Sequence, residues 1–121
     1  MTAAQESSPA KSVKRVGMVI GVKPEKLAYY QELHADDNPG VRDLLVRYHI
    51  RNFSIFLRHL DDGRDYLFAY YEYVGEDYAG DFAKLAAEPR NQAWLALCDP
   101  CQIPLAGEKS WSVMESVYHN P

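Results

Sequence analysis

Two strand-like stretches of this chain carry apolar residues on both of their faces. Ile50 to His59 sets Phe53, Ile55 and Leu57 against Ile50 and Phe56, and Tyr66 to Val74 sets Leu67, Ala69 and Tyr71 against Phe68 and Tyr70. Asp61, Asp62, Gly63 and Arg64 form a short polar turn between them, which predicts an antiparallel hairpin. A sheet apolar on both sides must be covered on both sides. A chain of 121 residues has helices for one face and nothing left for the other. A second copy is the economical cover, so the expected assembly is a homodimer packed sheet to sheet.

The remaining elements fit around that hairpin. Val16, Met18, Ile20 and Val22 alternate in a first strand from Val13 to Val22, and Pro24 stands at a natural first helical position. The helix after it places Leu27, Tyr30 and His34 on one face and must stop near Asn38, Pro39 and Gly40. Val41, Leu44, Leu45 and Tyr48 have helical period, as do Asp81 to Ala87 and Gln92 to Cys98. A last strand from Trp111 to His119 completes the order β-α-β-β-α-β. The fold expected is therefore α+β, a ferredoxin-like split βαβ with helices on one face of an antiparallel sheet. Residues 1–12, small and polar, read as a disordered tail, and 13–121 as one domain.

Composition narrows the function classes. The net charge is −4, with lysine and arginine scattered, which argues against a nucleic-acid or anionic-membrane surface. No apolar run approaches the roughly 20 residues that cross a bilayer, and the first residues lack the apolar centre of a secretory signal, so a cytoplasmic location is expected. Nine tyrosines are a surplus that suits interfaces and polar small-molecule pockets.

Tyr30 and His34, one helical turn apart, let a phenol and an imidazole converge on one ligand. Histidine is the usual proton shuttle near neutral pH, with an unperturbed pKa of about 6.5. Trp94 offers a flat face for the C–H face of a sugar, though a lone tryptophan is more often core. Cys98 and Cys101 have C-x-x-C spacing but lack the two further ligands of a zinc site, and Pro100 forbids the helix that a redox dithiol would start, so the pair reads as incidental. His49, His59 and His119 are unpaired in sequence and give no support for a metal cluster. Glycine-rich phosphate loops and nucleophile elbows are absent, and no cofactor is implied.

Taken together, these segments resemble the L-rhamnose mutarotase family of small dimeric α/β-barrel proteins. The resemblance runs from about Arg15 to His119. It is carried by Tyr30-Gln31-Glu32-Leu33-His34, by Ile50 to Leu57, by Leu67 to Glu72, by Trp94 and Asp99-Pro100, and by Met114 to His119. It implies a sugar substrate, with His34 as the general acid or base at the anomeric centre. It also implies that Tyr30, Trp94 and the residue at Phe53 bind the sugar. The family usually has a tyrosine at Phe53, a second tryptophan at Ala93 and a tryptophan at Asn38, so the pocket is reshaped and L-fucose stands beside L-rhamnose as a substrate. Glu115 on the last strand is a candidate for the second proton transfer, set against its reading as an exposed or structurally paired carboxylate. Two other readings stay open: a non-catalytic sugar-binding or regulatory dimer, and a cofactor-free monooxygenase-like enzyme on the same architecture.

Overall fold

The computed structural model describes residues 13–121, and the expected N-terminal tail, residues 1–12, lies outside them. Strand β1 (Lys14–Val22) leads through a 3-10 turn (Pro24–Lys26) into helix α1 (Leu27–Leu33), and α2 (Arg42–Arg47) completes the first crossover. The hairpin follows as β2 (Ile50–His59) and β3 (Asp65–Tyr73). Helices α3 (Tyr78–Ala87) and α4 (Pro89–Cys98) return the chain through a 3-10 turn (Asp99–Cys101) to β4 (Gln102–Ile103) and β5 (Ser112–Met114). Asp77 caps α3 by accepting from the backbone N–H of Gly80, and Pro89 opens α4 where its missing N–H costs nothing.

The sheet is antiparallel and ordered β2-β3-β1, with the free edge of β1 shared by β4 and β5. Alternation along β1 and β3 sends Val16, Ile20, Val22, Leu67, Ala69, Tyr71 and Tyr73 to the buried, helix-covered face. Two core clusters form there. One joins Val16, Tyr71 and Tyr73 to Leu44 of α2 and Leu85 of α3. The other joins Ile20, Val22 and Leu67 to Tyr30 and Leu33 of α1 and to Cys98 and Cys101. Trp94 of α4 packs against both, so it stands at the seam between them. The fold class expected from the sequence, α+β of the split βαβ kind with helices on one face, is the one observed.

Three local expectations need correction. Ile50 does not share a face with Phe56. The ladder slips by one residue between Arg51 and Ser54, where Asn52 takes φ 53°, and this bulge turns Ile50 into the helix-side core beside Tyr73. Helix α1 ends at Leu33, well before Asn38. The last strand is paired only from Ser112 to Met114, not from Trp111 to His119.

The opposite face holds the cross-strand row Val19, Phe68 and Phe56, and among the described residues no helix or further strand covers it. Phe56 is 65% exposed.

Candidate functional site

Tyr30 and His34 meet as their spacing requires. Their rings stack with centroids 4.4 Å apart, and the Trp94 ring meets the imidazole in a T-shaped contact with centroids 5.2 Å apart. Tyr30 comes from the buried face of α1, His34 is the residue that ends that helix, and Trp94 arrives from α4 across the seam. The structure thus gathers three of the four expected site residues. Phe53 is the fourth: it stacks on Tyr71 at 5.5 Å, remains 38% exposed, and has Tyr71 rather than the trio as its ring partner.

The imidazole's protonation is set by geometry. Nδ1 of His34 lies 2.8 Å from the backbone carbonyl of Tyr30, and a carbonyl can only accept, so Nδ1 carries the hydrogen of the neutral ring. Nε2 is left with its lone pair. Burial lowers the pKa of His34 below its ordinary value, the Tyr30 carbonyl opposes this, and the charge of Arg42 adds to it. The ring is therefore neutral at pH 7 and equipped to accept a proton at Nε2.

Tyr30 is prepared in the opposite sense. Its hydroxyl, 4% of the residue being exposed, accepts a hydrogen bond from Gln102 Nε2 at 3.1 Å. Desolvation pushes the phenol up to about 12, so it keeps its proton and remains a donor. Gln102 lies on the two-residue strand β4, 72 positions from Tyr30. Sequence reasoning missed it, since neither a motif nor a periodicity marks that position.

The loop after α1 and the first residue of α2 supply the remaining supports. Asn38 Nδ2 donates to the Leu33 carbonyl at 2.8 Å, and Arg42 Nη2 donates to the carbonyls of His34 and Ala35 at 3.4 and 3.0 Å. Asn38 is therefore a partner for the end of α1. Gly40 takes φ 50° and lies under the indole of Trp94, where an added Cβ would stand 3.2 Å from Cη2. No side chain other than hydrogen fits there without moving the indole.

The other sequence candidates fall elsewhere. Cys98 and Cys101 are free and buried beneath Tyr30, and burial pushes the Cys98 thiol up to about 12, which leaves it unreactive. His49 and His59 are paired in space, with Asp81 at 3.0 Å and Asp65 at 2.8 Å. Glu115 follows the last paired residue of β5 and is exposed. A cleft of about 550 Å³ opens beside Gly21, Tyr66, Ile103 and Leu105, and none of Tyr30, His34, Phe53 or Trp94 lines it.

Comparison with known proteins follows the same lines. The family model for L-rhamnose mutarotase (rhaM) matches residues 15–120. An L-rhamnose mutarotase of Oceanobacillus iheyensis is 31% identical over 88 residues, covering 73% of this chain and 79% of that protein. Among solved structures, the L-rhamnose mutarotase of Formosa agariphila superposes with a TM-score of 0.64 at 19% identity, over 89% of this chain and 99% of that one. Tetracenomycin F2 cyclase of Streptomyces glaucescens superposes with a TM-score of 0.61 at 14% identity and the same coverage. At these identities the structural likenesses speak for the fold alone.

Proposed function

The chain belongs to the L-rhamnose mutarotase family and is an enzyme of the isomerase class, and from that premise we propose that it interconverts the α and β anomers of L-rhamnose or a related deoxy-sugar through His34. The observation that carries this reading is the imidazole stacked on Tyr30, with Nδ1 held by a backbone carbonyl and Nε2 without a hydrogen-bond partner among the described residues.

Mutarotation needs proton transfer at two oxygens bonded to the same carbon. Nε2 of His34 takes the proton from the anomeric hydroxyl. The C1–O5 bond then breaks, its electron pair goes to O5, and the imidazolium delivers the proton there. The open-chain aldehyde rotates about C1–C2 and closes by the reverse steps on the other face. Because both oxygens lie on C1, one imidazole serves both, and no nucleophile is required. Tyr30 donates its hydroxyl hydrogen to a sugar oxygen, and Trp94 lies against the apolar face of the ring. Phe53, lacking the phenolic oxygen usual in the family, contributes an apolar wall, and this favours sugars with a deoxy position, L-fucose included.

We also assign the protein to a homodimer in which a second copy covers the open sheet face, because a row of Val19, Phe68 and Phe56 facing water is costly. Phe56→Glu would then convert a dimer to a monomer in light scattering, and a wild-type monomer would exclude the arrangement. Two free, buried cysteines suit the reducing cytoplasm, where we place the protein.

The test is saturation-transfer NMR of anomeric exchange on L-rhamnose and L-fucose, for the purified protein and His34→Ala. Exchange above the buffer rate that vanishes in the variant supports the reading and ranks the sugars. Exchange that survives in the variant removes His34 from the chemistry. No acceleration of either sugar overturns the proposed substrates.

A further inference from the structure

His34 stands where α1 runs out of partners. The last carbonyls of a helix have no intrahelical N–H to accept from, and the negative end of the helix dipole gathers on them. Here they are answered by the following loop and the start of α2. Asn38 serves the Leu33 carbonyl, and one guanidinium nitrogen of Arg42 reaches both the His34 and the Ala35 carbonyls. Arg42 is the first residue of α2, so the contact ties the end of one helix to the start of the next. Among the described residues, the Arg42 side chain donates only to these two carbonyls and joins no carboxylate.

We propose that Arg42 is a positioning residue for His34: by clamping the His34 and Ala35 carbonyls it fixes the peptide that carries the imidazole and holds the ring stacked on Tyr30. The inference rests on the reading of His34 as the proton-transferring group. Imidazole orientation follows from the backbone at position 34 together with the Nδ1–H bond to Tyr30, and a drift of the first misaligns the second. The clamp has an electrostatic consequence in the same direction. Of the groups that meet His34, the Tyr30 phenol is uncharged and the Trp94 indole does not titrate, which leaves Arg42 as the neighbouring charge that acts on the ring. A cation there disfavours imidazolium and reinforces the effect of burial. Lysine would keep the charge, but its shorter, strongly hydrated ammonium does not reproduce the guanidinium's reach to two carbonyls.

The experiment compares wild type, Arg42→Gln and Arg42→Lys by long-range imidazole NMR, with His34→Ala assigning the His34 signals, alongside anomeric-exchange kinetics. Arg42→Gln is expected to raise the His34 pKa, since a nearby positive charge is removed, and to weaken the Nδ1–H tautomer signature. Its kcat should fall about tenfold with KM little changed, as expected of lost alignment. Arg42→Lys should keep most of the pKa and lose kcat like the glutamine variant. A glutamine variant whose His34 titration, tautomer and kcat all match wild type overturns the clamp, as does a lysine variant with full kcat. Should the wild type catalyse no exchange, the functional reading falls, while the titration and tautomer still decide the clamp.

Discussion

Replacing Gly40 by alanine tests whether the indole of Trp94 is held where the site needs it. Gly40 takes φ 50°, and a Cβ there would stand 3.2 Å from Cη2, 3.3 Å from Cζ3 and 3.5 Å from Cζ2 of Trp94. Carbon atoms settle at about 3.5–4.0 Å, so the ring must retreat by a few tenths of an ångström. Trp94 touches both core clusters and lies beside the His34 ring, so its displacement is shared by the core and the site. The left-handed backbone costs alanine about 1 kcal/mol, and the overpacked contact about 1 kcal/mol more. Gly63 provides the control: it takes φ 81° with nothing within 4 Å of an added Cβ, so Gly63→Ala carries the backbone cost alone. At about 4 °C per kcal/mol for a chain of this length, Gly40→Ala should lower the melting temperature by about 8 °C and Gly63→Ala by about 4 °C. Circular-dichroism melts give these values, and tryptophan emission in a Trp111→Phe background reports Trp94 alone. Emission should shift and anomeric exchange fall about tenfold in Gly40→Ala only. Equal melting shifts with unchanged emission would refute the argument that the indole rests on Gly40.

Three further outcomes follow from the site. Because the His34 pKa lies below 6.5 and the neutral ring is the working form, exchange should hold steady above pH 7 and decline as the pH falls through the lowered pKa; a rate that rises with acid over that range contradicts the assignment of Nε2 as base. Tyr30→Phe leaves Gln102 Nε2 buried without its acceptor, so urea unfolding should show a loss of about 1–2 kcal/mol together with a raised KM for the sugar; an unchanged KM would remove Tyr30 from substrate binding. Cys98 and Cys101 should resist iodoacetamide in the native protein at pH 8 and react once urea unfolds it, as mass spectrometry would show; rapid native labelling would contradict their burial.

Local rules decide most of the secondary structure of this chain. Alternation placed β1 and the hairpin strands almost to the residue, since a period of two is written in the side chains themselves. The stacking of Tyr30 and His34 follows from a spacing of four on one helix, and it needs no tertiary information. Trp94 was visible as a residue type, but only the packing of α4 across the seam brings it to the imidazole.

Tertiary structure decided the features that depend on distant partners. The bulge at Asn52 reversed the face of Ile50, because register is settled between strands and a slip of one residue changes every orientation before it. The alternation from Trp111 to His119 is strand-like, yet pairing needs an edge. Met114 opposite Gly17 is the last pair of that ladder, although β1 runs on to Lys14, so the alternation beyond Met114 goes unused. Gln102 on Tyr30 and Arg42 on the end of α1 are polar contacts set by the fold's return of the chain to the site, and no periodicity announces them. The sequence by itself determined the strands, the two-sided apolar sheet and the Tyr30 and His34 pair, because these are short-range consequences of side-chain order. Only the tertiary structure determined what surrounds that pair, since Trp94 beside the imidazole, Gln102 on the Tyr30 hydroxyl and Arg42 on the His34 carbonyl come from elements that the fold brings together.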